Sequence, residues 1–129
     1  MPICFYVEGA DRPIAGPLLP EPLFVYLLEL RPHIRSNISW LGDLDYWADS
    51  RFDAESGAAL TLASAVRRLE RELATADWTR LPPLPELGDE QLADSPPLTK
   101  KSVVGFLSSL ADCAELADQT GGTLVGYGD

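Results

Sequence analysis

The placement of proline constrains this 129-residue chain more than any other feature of its sequence. Of its 11 prolines, five (13, 17, 20, 22 and 32) crowd the first quarter and five (82, 83, 85, 96 and 97) form a second block. Proline lacks a backbone donor and clashes with the preceding helical turn, so neither block can be spanned by one unbroken helix or one central strand. Two proline-free runs remain, 33–81 and 98–129, and only these have room for long helices. Ahead of the first block, Ile3 to Val7 is a short run of apolar and β-favouring residues that reads as a strand.

Helical periodicity falls in the two free runs. Leu62, Val66, Leu69 and Leu73 recur at steps of four, three and four, which predicts a helix over about 54–76. Asp53 is the expected N-cap, its carboxylate accepting from the first free amides, with Glu55 suited to the dipole. Gly57 in the first turn costs such a helix about 1 kcal/mol relative to alanine. Val103, Leu107, Leu110, Ala114 and Ala117 predict a second helix over 100–120, starting near Thr99 and stopped by Gly121-Gly122. Thr123 to Tyr127 then reads as a closing strand.

Two stretches stay open. Residues 22–31 read as a helix with Pro22 at its first position and Pro32 at its end, or as a buried strand over 23–30. Ile38–Leu41 and Leu44–Trp47, joined by Gly42-Asp43, form either a hairpin with a type II′ turn or a loop packed down by its aromatics. The sum is an α+β chain, one domain over 1–129. Its terminal strands pair with each other or with the central hairpin, helices cover one face, and 81–97 is an acidic, proline-rich connection.

Charge narrows the partners. Twenty acids against ten bases leave a formal charge of −10, unsuited to nucleic acid or an anionic membrane but compatible with a basic protein. The only two lysines, Lys100 and Lys101, stand together at the start of a helix, where the dipole disfavours cations. The acids of the preceding connection are their expected partners. Cys4 and Cys113 read as reduced thiols, with a disulfide between the chain ends left open. The N-terminus has no basic leader segment, and the longest uninterrupted apolar stretch, Leu23–Leu28, is too short to span a bilayer. A soluble, cytoplasmic protein is expected.

Chemistry is harder to find. A calcium loop beginning at Asp43 has Trp47 at its fifth position, Ala48 for the turn glycine and Ala54 for the bidentate glutamate, so it fails. His33 is the only histidine, and no serine or cysteine motif accompanies it. No glycine-rich loop opens a helix to cradle phosphate. Neither a metal nor another cofactor is expected, and the chain is read as not an enzyme.

One cluster remains: Trp40, Asp43, Asp45, Tyr46, Trp47 and Asp49. Tryptophan and tyrosine anchor protein interfaces, and acids beside them suit a basic partner. The same aromatics are also core candidates, and the same aspartates also suit turns and caps. The DLDYWADSRFD segment leading into an alanine-rich helix, the GGTLVGYGD ending and the strong acidity together resemble the small acidic immunity proteins that bacteria pair with their own toxins. That resemblance implies a cytoplasmic inhibitor that binds a toxin domain and blocks its active site or an exosite. The alternatives are a structural or accessory protein, as a homodimer or larger homo-oligomer, and a small enzyme with a carboxylate site.

Overall fold

The computed structural model describes residues 3–9, 13–44, 48–84 and 98–128. Strand β1 (Ile3–Glu8) alternates buried Ile3, Phe5 and Val7 with half-buried Cys4, Tyr6 and Glu8. It pairs antiparallel with β4 (Thr123–Tyr127), Phe5 opposite Gly126 and Val7 opposite Leu124, so the two chain-end strands do join. With β2 (Ile14–Leu19) and β3 (Asp49–Asp53) they make a four-stranded sheet in the order β2-β1-β4-β3.

Both edge strands depart from the sequence reading. The proline-rich stretch around Pro13, Pro17 and Pro20 carries an edge strand that the sequence reading does not include, with Pro17 inside β2. An edge strand tolerates a missing donor, and the register of β1 with β2 shifts between Cys4 and Tyr6, the kind of irregularity that accommodates proline. Ile38–Leu41, open between a hairpin arm and a loop packed down by its aromatics, follows the second reading: a 3-10 turn covers Ser39–Asp43 and buries Trp40. Trp40 and Leu41 are adjacent and both enter the same core, whereas strand alternation would send them to opposite faces; a tight turn permits it. The strand falls later, as β3, which pairs with β4. Of the other arm, Asp45, Tyr46 and Trp47 lie outside the described residues.

Helix α1 (Glu21–Leu30) has Pro22 in its first turn and buries Leu23, Tyr26, Leu27 and Leu30, which decides 23–30 in favour of a helix. Helix α2 covers Ala58–Thr75 and begins later than expected. Asp53 accepts from the Ser56 amide at 2.8 Å and from its hydroxyl, so it caps the turn ahead of the helix and not the helix itself. Gly57 follows at φ +83°, a left-handed conformation no helix interior contains, and α2 starts after it. Helix α3 (Lys100–Thr120) has the expected bounds, with a reciprocal Thr99–Ser102 capping box and a left-handed Gly121 at its end.

Helices α2 and α3 run antiparallel, since Arg67 meets Asp112 and Glu115 while Glu70 and Ala74 flank Lys101, Val104 and Ser108. Helix α3 packs on β1, β2 and β4, and α2 packs on α3 and β3. Ile3, Phe5, Val7, Phe52 and Leu124 meet them in one core that also takes in the buried side of α1. The end of α2 holds the preceding segments in place. Glu72 accepts from the Arg35 and Ser36 amides, each at 2.8 Å, and from the Ser36 hydroxyl at 2.6 Å. Tyr26 stacks on Trp78 and donates to the Pro82 carbonyl at 2.8 Å. No helix among the described residues is long and apolar enough to cross a membrane.

Candidate functional site

Because α2 and α3 lie on one face of the sheet, the alternate residues of each strand point to the other. Register arranges them in rows. Leu18, Cys4, Tyr127 and Asp49 form one row from β2 to β3. Ala15, Tyr6, Val125 and Arg51 form the next, and Glu8, Thr123 and Asp53 form a third over the remaining strands. The first row is apolar and exposed for most of its length, with Leu18 at 57% and Tyr127 at 45% of full exposure. Carboxylates close it on the β3 side.

The middle row is tied together by polar contacts. Arg51 on β3 donates to Glu8 on β1 at 2.8 Å, so the ion pair crosses over β4. The Tyr6 hydroxyl donates to the same carboxylate at 3.4 Å. Burial, then the charges of Glu8 and Asp49, push the Tyr6 phenol above its ordinary value and keep it protonated. Beneath this group Val125 is fully buried, although it lies outside the helix-side core. The face thus carries a polar roof beside an exposed apolar row. Such a surface suits recognition.

The residues expected at a partner surface divide three ways. Asp43 and Asp49 are both exposed: Asp49 opens β3, and Asp43 ends the 3-10 turn, where its carbonyl accepts from the hydroxyl of buried Ser50 at 2.9 Å. Trp40 is instead a core residue, 5% exposed, because its turn folds it under the sheet. Its indole N–H is buried with no acceptor among the described residues. Asp45, Tyr46 and Trp47 lie outside the described residues, as do the acids of the 85–97 connection expected to face Lys100 and Lys101. Leu18, Tyr127 and Tyr6 were missed. The available signal was in β1, where Cys4 and Tyr6 alternate with Ile3, Phe5 and Val7, so neither face of the strand is plainly polar.

Groups with catalytic potential are placed differently. His33 is exposed in the turn after α1. Cys113 sits on α3 against Gly16, and burial followed by the Asp112 charge raises its thiol, which keeps it in the unreactive form. Cys4 faces away from the helices, so the two thiols lie on opposite faces of the sheet and both are free. Among the described residues no three histidine, cysteine or acidic side chains gather in a way that could hold a metal ion. Comparison with known proteins finds no matching family model, no similar curated protein and no similar solved structure.

Proposed function

We propose that this chain is a non-enzymatic, protein-binding inhibitor, an immunity protein that neutralises a cognate bacterial toxin by docking a basic surface of it on the solvent face of the sheet. The observation that carries the reading is the exposed Leu18–Cys4–Tyr127 row closed by Asp49, in a chain with a net charge of −10. An exposed tyrosine in a row with Cys4 and the exposed Leu18 is the kind of side chain that anchors an interface, and the bordering Asp49 carboxylate steers a cationic partner to it. The excess charge of the whole molecule accelerates encounter in the same sense.

The toxin is to be sought in the reading frame next to this gene, and association of the two products measured by stopped flow over a range of salt. Reversing both exposed aspartates, Asp43→Lys with Asp49→Lys, should slow association roughly tenfold and flatten its salt dependence. Tyr127→Ala should leave association alone and speed dissociation. Unchanged kinetics in both variants would mean that the partner docks elsewhere. A neighbouring product that is not toxic, or that does not bind, would remove the immunity reading.

A further inference from the structure

A second surface lies on the opposite side of the molecule, along α3. Lys101, Gly105, Ser108 and Asp112 follow at steps of four, three and four, so they share one stripe of the helix. Lys101, Gly105 and Asp112 are exposed and Ser108 is partly so. Where the stripe meets α2, an open groove of about 550 Å³ is lined by Lys101, Val104, Gly105 and Ser108 of α3 and by Glu70 and Ala74 of α2.

Three properties of this stripe find no use among the described residues. First, Lys101 makes no ion pair among the described residues, although its place in the first turn of α3 is one where the helix dipole disfavours it. Its neighbour Lys100, by contrast, lies 6.0 Å from the centre of the Trp78 ring. Secondly, Asp112 belongs to a group with surplus negative charge. Arg67 donates to Glu70, Asp112 and Glu115, so one cation faces three carboxylates. Thirdly, Gly105 sits inside a helix, where it forfeits about 1 kcal/mol relative to alanine. A β-carbon there would meet nothing within 4 Å among the described residues, so packing against them gives no reason for it.

We propose that two copies of this chain pair antiparallel through this stripe, Lys101 of each against Asp112 of the other, with Gly105 and Ser108 letting the helices approach at the dyad. The stripe is self-complementary about its own centre. The midpoint between Lys101 and Asp112 is also the midpoint between Gly105 and Ser108, so one two-fold axis satisfies both pairs. Each lysine then meets a site carrying two uncompensated negative charges, and small residues fall where the helix axes come closest. The repulsion between two copies of charge −10 acts over long range and is screened beyond about 8 Å at physiological ionic strength, whereas the contacting pairs are shorter than that. The dimer leaves the solvent face of the sheet free, so it stands or falls independently of the inhibitor reading.

Sedimentation of the intact chain from roughly 1 μM to 1 mM at near-physiological salt should show a reversible monomer–dimer equilibrium. Lys101→Glu and Asp112→Lys should each weaken it by tenfold or more, since each places like charges in contact. Mixed in equal amounts, those two variants should restore dimer, because both contacts of the mixed pair are then of opposite sign. Gly105→Gln should raise the melting temperature of the monomer and abolish the dimer. A chain monomeric throughout the range would overturn the proposal, and so would a dimer indifferent to Lys101→Glu. Failure of the mixture to associate, with both variants folded by circular dichroism, would overturn the antiparallel pairing.

Discussion

Leu124 and Val125 are neighbours on the same strand and both are fully buried, yet they are buried by different means. Leu124 points towards the helices and joins a core supplied by every element. The fit is close there: a β-carbon on the adjacent Gly126 would come within 3.1 Å of the Phe5 ring. Val125 points the other way, flanked in register by Tyr6 and Arg51, beneath an ion pair whose side chains are 54% and 39% exposed. On one face of the sheet the buried residue belongs to a packed core; on the other its register neighbours are Tyr6 and Arg51, and the Arg51–Glu8 ion pair stays exposed. Packing resists rearrangement, whereas a roof of side chains can be lifted by a partner. On the proposed reading, the solvent face is the one a partner would use.

The largest effect should therefore come from the packed side. Leu124→Ala leaves a cavity walled by rigid elements and should lower stability by about 3 kcal/mol in urea unfolding. Val125→Ala removes fewer carbons, and flexible neighbours can settle into the space, so about 1 kcal/mol is expected. Equal losses at the two positions would show that the solvent face is as tightly built as the core.

Acid response should divide in the same way. Glu72, on the helix side, is held below its ordinary value of 4.5: burial pushes it up, but the Ser36 hydroxyl, the Arg35 and Ser36 amides and the Arg35 charge together outweigh that. The folded state thus favours the carboxylate. Its contribution is complete above about pH 4.5 and is lost as pH falls through the lowered folded value. Glu72→Gln should forfeit about 1 kcal/mol at neutral pH and make the acid limb of the stability profile shallower. An unchanged acid limb would locate acid sensitivity elsewhere, in the exposed carboxylates of the other face among the candidates.

How much of this was legible beforehand follows from how local each signal is. Helix α3 and strands β1 and β4 were readable because their apolar spacing and glycine stops lie in sequence. Strand β2 was hidden by Pro17, since only tertiary position makes it an edge. Strand β3, with Phe52 its one apolar residue, takes its identity from pairing with β4, some 70 positions away. Helix α2 was set too early because Asp53 fits an N-cap equally well as a turn cap, and the left-handed Gly57 separates the two. Of the candidate site residues, Asp49 is exposed at the start of β3, whereas Trp40 was drawn to the same cluster by composition and belongs to the core. Leu18 and Tyr127 gave no local sign of exposure. Theirs arises from which face the helices occupy.

The smallest effect is the most telling about the solvent face. Glu8 holds both Arg51 and Tyr6, so Glu8→Gln removes the charge at the centre of the roof. The pair is exposed, and no resolvable loss of stability is expected on thermal unfolding. The Tyr6 phenol should still respond, because the Glu8 charge ranks next after burial among the influences that raise it above 10.0. Its titration, followed by NMR at the ring carbons, should move down towards that value in Glu8→Gln and stay raised in the unaltered chain. A variant that loses as much stability as Val125→Ala would make the roof structural, and a face that must keep its roof closed to stay folded cannot offer it to a partner.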